Sequence, residues 1–259
     1  MNLTWVMGTR NDGYGGGDPM RRMLLTVGSI RAMRPDDEII VTEWCPPSGR
    51  PRVSSFLGGL NVRVVEVPSV VQGMLDADNT ENKPLPFYEY LAKHAAIMCA
   101  KNERIIAVNP DNIFLPDRFN GETIDRGLSV RALRYGVDKS WESVPLDKIL
   151  ASETIPKLPI KGAHPNAAGD YHGFHIDDYK KVGGACLKHI NWHTDNHLLG
   201  KMRNADIRIM NGYNHFHINH EFSCVEAPGR PTAWEKTKPI SKNVLIAVMK
   251  IIGEANGQH

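Results

Sequence analysis

The sequence predicts an α/β domain in which a mostly parallel sheet carries helices on both faces. Its 259 residues, of which 41% are apolar, are enough to bury a large core. In the first half, short apolar runs alternate with amphipathic segments, and polar or glycine-rich turns follow several of those runs. This alternation is typical of parallel sheets, which bind ligands at the carboxyl ends of their strands.

The first element is an apolar strand at residues 3–7, which is followed by a glycine-rich loop. Asp18 and Pro19 then supply an N-cap and a first-turn proline for a helix. The apolar side chains that share one face of this helix are Met23, Val27 and Ile30.

Two further strands are predicted at residues 38–44 and 61–68, and a helix at 88–100 leads directly into a strand at 104–108. The resulting order, β-α-β-(α)-β-α-β, supports the parallel sheet. One face of the 88–100 helix carries Leu91, Ala95 and Met98, with Ala92, Ala96 and Cys99 beside them.

The second half has a less regular pattern. Residues 128–137 predict a strand, residues 164–184 a loop followed by a short strand and a helix, and residues 191–202 the start of a helix. Residues 205–221 predict a strand or a loop. Ser241 can cap a C-terminal amphipathic helix. The apolar positions of that helix are Val244, Val248, Ile251 and Ile252.

No internal repeat or linker divides the chain, so we predict a single domain spanning residues 1–259. Two stretches that contain proline, 68–86 and 227–240, are predicted to be mobile loops.

Charge and cysteine usage limit the class of protein. The 31 basic and 29 acidic residues leave a formal net charge of +2, which does not indicate a nucleic-acid binder, although a local basic patch is not excluded. The four cysteines are scattered without metal or redox spacing, as in a reducing compartment. No run reaches the length of a membrane span and no basic leader is present, so a cytoplasmic location is expected.

Two loops follow predicted strands and carry polar groups. Residues 9–17 are rich in glycine, which lets a ligand approach the backbone, but they match neither a dinucleotide-binding fingerprint nor a P-loop. They can also be a flexible surface loop. After the strand at 104–108, Asp111 lies between Asn109 and Asn112. This second segment can be a simple turn, because all of its residues favour turns.

Five segments in the same order resemble the GT-A glycosyltransferases that use nucleotide sugars. They are RNDGYGG, EIIVTEWCPP, EYLAKHAAIMCAKNERIIAVNPDNIFLPD, GDYHGFHIDDYKKVGG and WHTDNHLL. The resemblance covers nearly the whole chain and implies a Rossmann-like sheet, a small additional antiparallel sheet and a C-terminal helix. It also implies a nucleotide-sugar-binding half at 1–118 and an acceptor-binding, catalytic half at 119–259.

In this family a D-x-D motif at the end of a strand binds a divalent cation that bridges the phosphates of the donor. Here Asn109 occupies the first position and Asp111 the second, so one carboxylate is replaced by an amide. Mg²⁺ and Mn²⁺ accept oxygen ligands of both kinds, with weaker affinity for the amide. The resemblance therefore implies Mn²⁺ or Mg²⁺ bound by Asp111, with one histidine of the segment HFHINH at 215–220, above all His217, completing the shell.

The resemblance also assigns residues to the donor, the acceptor and the reaction. Asp195, in the segment that matches E-D-x-x-L, would act as the base that deprotonates the acceptor hydroxyl, or it is only a helix cap. Asp170 and Trp192 would lie near the acceptor. The residues implied to bind the UDP- or GDP-sugar are Thr9, Arg10, Asp12, Glu43, Lys93 and Asn109.

Histidines offer a different interpretation, since nine of the eleven lie between His164 and His220. His193 and His197 have the i,i+4 spacing of zinc proteases, but Thr194 stands where that motif needs glutamate. A zinc hydrolase is thus poorly equipped. A catalytically silent nucleotide-sugar-binding module is the other alternative, because one carboxylate of each family motif is missing.

The sequence therefore predicts a cytoplasmic, metal-assisted glycosyltransferase. It would move a sugar from a nucleotide donor to an acceptor hydroxyl, with inversion at the anomeric carbon. The acceptor can be a saccharide or another hydroxyl compound, and nucleic acid is not excluded.

Overall fold

The computed structural model describes residues 2–13, 16–80, 85–115, 124–152, 169–191, 194–220 and 237–257. For residues 213 and 214 only the backbone is described.

The described strands form a single eight-stranded mixed sheet whose order is β3-β2-β1-β4-β7-β6-β8-β5. Strands β3, β2, β1 and β4 are mutually parallel, as predicted. Strand β7 is antiparallel to β4 and β6, and β5 is antiparallel to β8. The strands are β1 (Thr4–Thr9), β2 (Glu38–Trp44), β3 (Arg63–Val67), β4 (Arg104–Val108), β5 (Asn112–Ile113), β6 (Leu128–Val137), β7 (Tyr171–His175) and β8 (Arg208–Ile218).

Helices cover both faces of the sheet. They are α1 (Pro19–Met33), α2 (Val53–Phe56), α3 (Ser69–Asp78), α4 (Glu89–Met98), α5 (Leu146–Leu150), α6 (Ile176–Lys181), α7 (Thr194–Asn204) and α8 (Lys242–Ala255), with a 3-10 helix at Lys139–Ser143. The mixed α/β fold confirms the predicted fold class, and the antiparallel pairs belong to the main sheet.

Alternation along the strands sorts apolar side chains into two layers. Trp5 and Met7 of β1 pack on the side of α1, in a cluster that includes Met23, Val27 and Ile30. The predicted apolar face of α1 is therefore buried, and the Asp18 side chain caps the helix by accepting a bond from the Arg21 amide at 2.9 Å.

On the other face, Val6 packs with Leu91 and Ala95 of α4. Gly8 lets α4 lie close to β1, because a Cβ at this position would be 2.7 Å from the Ala92 Cβ. Close packing brings the next residue of α4, Lys93, to the carboxyl edge of the sheet.

Two local predictions were wrong, and a third holds for the position but not for the side-chain bond. Much of the stretch 68–86 is helix α3, whose Val71 and Leu75 are buried against α4 and α8, so it is not a loop. Met98, expected on the buried face of α4, is 48% exposed at the last turn. Ser241 does occupy the N-cap position of α8, but its side chain makes no capping hydrogen bond.

Part of the stretch 227–240 lies outside the described residues. Within the described residues, no helix has the length and apolar character needed to cross a bilayer.

Candidate functional site

The carboxyl ends of the parallel strands bring several predicted residues to one edge of the sheet. Thr9, the last residue of β1, lies opposite Glu43 of β2, and both are buried. Strand β4 ends next to β1 at Val108, so Asn109 follows at the same edge. The expected ligand-binding edge is therefore lined by polar residues.

Glu43 has a structural partner at this edge. Its Oε1 accepts a hydrogen bond of 2.8 Å from the Val53 amide, which fixes the beginning of α2. Burial raises the pKa of the Glu43 carboxyl above its ordinary value, and this backbone bond opposes the shift. Contact with a base or ribose stays a prediction for this residue.

Hydrogen bonds and ion pairs hold both ends of the loop after β1. The Arg10 guanidinium donates to the Pro86 carbonyl, and its Nε lies 3.6 Å from Asp12 Oδ2. At the other end, Arg22 Nη1 donates to the Gly16 carbonyl at 2.9 Å and forms a buried ion pair with Glu142. Thr9, Arg10 and Asp12 thus lie at the expected edge, in a loop of which residues 14 and 15 are outside the described residues.

Asp111 lies against two histidines of the second half. Strand β5 pairs with β8 so that Asn112 is opposite His217, and the Ile218 amide donates to the Asp111 carbonyl at 3.0 Å. Asp111 Oδ2 is 3.3 Å from His217 Nε2 and 2.9 Å from His220 Nε2. The structure brings the predicted pair together and adds His220.

The acidic and basic groups of this cluster shift each other's pKa values toward the charged forms. Burial disfavours a charged Asp111, but His217 and His220 outweigh that effect and hold its pKa well below the ordinary value. Burial also disfavours a charged His217, yet Asp111 and Asp170 raise its pKa overall. The carboxylate is therefore ionised at neutral pH and is held beside imidazole nitrogens.

The donor atoms of Asp111, His217 and His220 lie within 4.8 Å of one another, which fits a single cation. Two ligands at right angles, each about 2.1 Å from a metal ion, are about 3 Å apart, close to the distances seen here. In addition, Asp111 Oδ1 is buried without a hydrogen-bond partner. One carboxylate and two imidazoles suit Mn²⁺ or Zn²⁺ better than Mg²⁺.

Lys93 is buried beneath the edge and does not face open solvent. Its ammonium donates to Glu89 Oε1 at 2.6 Å, to the Gly169 carbonyl at 2.9 Å and to Asn109 Oδ1. The other end of the Asn109 amide donates to Asp170 Oδ1 at 2.9 Å. Lys93 and Asn109 thus bond to protein groups, and binding of the nucleotide sugar by either residue stays a prediction.

Asp195 lies in the first turn of α7, as predicted. Its Oδ2 accepts a hydrogen bond of 3.1 Å from the Gly169 amide, so it is next to the segment that carries Asp170. Burial, with the nearby Asp195 and Glu89, holds the pKa of the Tyr90 hydroxyl well above its ordinary value. Tyr90 therefore remains a neutral donor beside Asp195.

Sequence reasoning missed Arg134 and Tyr90, and it assigned only one histidine of the segment 215–220 to the metal, favouring His217 over His220. His220 belongs to the same His-rich segment as His217, so its residue type was a usable signal. Arg134, which pairs with Asp170 at 3.0 Å, gave none, because a strand arginine is ordinarily a surface charge. Trp192 and His193 lie outside the described residues.

No protein-family model and no curated protein matches the chain. Among solved structures it is similar to S. aureus TarS 1-349 in complex with UDP-GlcNAc, with a TM-score of 0.56 and 11% identity over 98% of this chain and 66% of that chain. It is also similar to S. aureus TarS 1-349, with a TM-score of 0.52 and 12% identity over 98% of this chain and 65% of that chain.

The chain thus spans about two thirds of the length of the TarS chains that it matches. At this level of identity, the likeness shows that the two proteins share a fold.

Proposed function

We propose that the protein is a metal-dependent glycosyltransferase that transfers a sugar from a nucleotide donor to an acceptor hydroxyl. The observation that carries the proposal is the cluster of Asp111, His217 and His220 at the carboxyl edge of the sheet. The fold supports it, since TarS is a glycosyltransferase whose structure was determined with UDP-GlcNAc.

Asp111, His217 and His220 would hold the cation, with Mn²⁺ favoured over Mg²⁺ by the two imidazoles. When bound, a divalent cation supplies positive charge that stabilises the departing diphosphate. Thr9, Arg10, Asp12 and Glu43 line the same edge and would contact the nucleotide, UDP or GDP.

Asp195 would accept the proton of the acceptor hydroxyl as the new glycosidic bond forms. Its bond from the Gly169 amide fixes the carboxylate, whose two oxygens have enough lone pairs to accept from the hydroxyl as well. Attack from the side opposite the diphosphate inverts the anomeric carbon. Transfer with inversion, like a cytoplasmic location and the chemical nature of the acceptor, stays a prediction.

A screen of UDP- and GDP-sugars for release of free nucleoside diphosphate tests this function. We expect release that requires Mn²⁺, is abolished by EDTA and is lost in Asp111→Ala. The exposed Asp147→Ala variant, on α5, is the matched control and should retain the activity. Binding of the nucleotide without turnover of any donor would instead favour the catalytically silent module.

Metal analysis separates the transferase from the zinc hydrolase that His193 and His197 suggested. A tightly bound, stoichiometric zinc in the purified protein, with release of no nucleoside diphosphate, would overturn the proposed function. Exchangeable Mn²⁺ is the expected result.

A further inference from the structure

Asn109 has charged partners of opposite sign at the two ends of its amide. Its Oδ1 accepts from the Lys93 ammonium and its Nδ2 donates to Asp170 Oδ1 at 2.9 Å. Turning the amide over would place NH₂ against the ammonium and oxygen against the carboxylate. The amide therefore has one allowed orientation, because only that one pairs each donor with an acceptor.

Lys93 fixes this orientation from below. The ammonium has three protons, and its acceptors are Glu89, the Gly169 carbonyl and Asn109. The residue is 2% exposed. No proton of this ammonium remains to bind a ligand, so its charge acts on Asn109 and on the backbone that precedes Asp170.

Asp170 is held from several directions. Asn109 bonds its Oδ1, Arg134 Nη1 bonds its Oδ2 at 3.0 Å, and Asn112 Nδ2 donates to its main-chain carbonyl at 2.7 Å. Burial is the largest single effect and opposes its charge, but Arg134, His217 and His215 together outweigh burial and lower the pKa of Asp170. Each carboxylate oxygen keeps a lone pair that can accept from a substrate hydroxyl.

We infer that Asn109 is a positioning residue that holds the Asp170 carboxylate, and that it is not a ligand of the cation. The inference rests on the proposed function only in taking Asp170 to contact a substrate hydroxyl. It explains why an amide occupies this position. A carboxylate at residue 109 would set two acceptors of like charge against each other at hydrogen-bond distance.

Four variants test this inference: Asn109→Asp, Asp170→Asn, the double variant with both changes, and Asn112→Asp combined with Asp170→Asn as a control. In the double variant Asn109→Asp with Asp170→Asn, the hydrogen bond between residues 109 and 170 is restored with donor and acceptor exchanged. The amide introduced at position 170 then donates to the new carboxylate at position 109, accepts from Arg134, and leaves Lys93 facing an anion. Asn112 contacts the main chain of Asp170, so Asp170→Asn should give Asn112→Asp no such relief.

Thermal unfolding of the metal-free protein and titration with Mn²⁺ alone are the first two readouts. Asn109→Asp should lower the unfolding temperature without tightening Mn²⁺ binding, and adding Asp170→Asn should restore most of the loss. A tenfold or greater gain in Mn²⁺ affinity in the single variant would overturn the inference. So would a double variant that is no more stable than Asn109→Asp, including the case in which both fail to fold.

Turnover of a nucleotide sugar is the third readout, and a purely structural role would not move it. The double variant should regain stability while its turnover stays at least tenfold below that of the wild type, because the carboxylate now lies at residue 109. Full recovery of turnover would overturn the role of Asp170. The first two readouts need no transferase activity. They therefore show whether Asn109 holds Asp170 or binds the cation, even if the proposed function fails.

Discussion

Replacing Asp195 by Asn separates catalysis from capping, because asparagine keeps the size of the side chain and one carbonyl oxygen. That oxygen can still accept the bond that Asp195 Oδ2 receives from the Gly169 amide at 3.1 Å. The variant loses a negative charge in the first turn of α7 and a charge-assisted bond, together worth about 1–2 kcal/mol of folding stability. For a chain of this size, that lowers the unfolding temperature by roughly 2–8 °C.

The catalytic effect should be much larger. Loss of a general base typically slows transfer by about 10²-fold or more, which corresponds to roughly 2.7 kcal/mol of transition-state stabilisation. Affinity for the nucleoside diphosphate should barely change, since the proposed diphosphate site is the Asp111 cluster and Asp195 is proposed to face the acceptor. The measurement is the rate of nucleoside diphosphate release from the active donor sugar, beside calorimetric affinity for the diphosphate.

Asp147→Asn is the matched control, because Asp147 is also a first-turn aspartate but is exposed on α5. It should leave the rate unchanged. A near-wild-type rate in Asp195→Asn would refute the base assignment and shift weight to a retaining mechanism or to Asp170.

Two further predictions concern histidines. His220→Asn should weaken Mn²⁺ binding by about tenfold or more, since even indirect partners of a metal contribute that much; unchanged affinity in a Mn²⁺ titration would mean that His220 only hydrogen-bonds Asp111. Burial, and to a smaller extent the positive charge of Lys93, lowers the pKa of His172 to about 3. The unfolded chain therefore binds a proton at His172 at pH values where the folded protein does not. The contribution of His172 to stability is then full above about pH 6.5 and falls by up to about 1.4 kcal/mol per pH unit below it. Buried His94 and His215, whose pKa values are lowered to about 4, add to the slope in the same direction. In denaturant titrations His172→Gln should flatten this slope, and an unchanged slope would contradict the assignment.

The regular part of the fold could be predicted because its elements are determined locally. Strand β2, Glu38–Trp44, and strand β4, Arg104–Val108, each contain an apolar run, at residues 39–41 and 105–108, and the cap of α1 is encoded by adjacent residues. Helix α3 was missed because the flanking prolines favoured a loop. Its burial depends on packing in one cluster with α4 and α8, and α8 lies far away in the sequence.

Strand β8, Arg208–Ile218, was ambiguous for a related reason. Its C-terminal half carries His215 and His217, and the structure buries both side chains. Histidine is not an apolar residue, so these two positions did not contribute to a pattern of apolar residues in the sequence. Pairing with β5 and β6 buries them, and a single strand does not reveal its partners.

The residues of the candidate site could be predicted where they match a position of the family motif. Asp111 and His217 were identified from the resemblance, and the structure brings them together. His220 was a candidate by residue type, but its bond to Asp111, 109 residues away along the chain, could not be read from the sequence. The partners of Asn109 were unreadable for the same reason, since Lys93 and Asp170 lie 16 and 61 residues away along the chain.

Calorimetric titration of UDP and GDP into the protein, with Mn²⁺ and then with EDTA, tests the central claim most directly. The claim is that Asp111, His217 and His220 hold a cation that binds the diphosphate. We predict binding of one nucleotide with Mn²⁺, and at least tenfold weaker binding both with EDTA and in Asp111→Ala. Equal affinity in all three conditions would contradict the account.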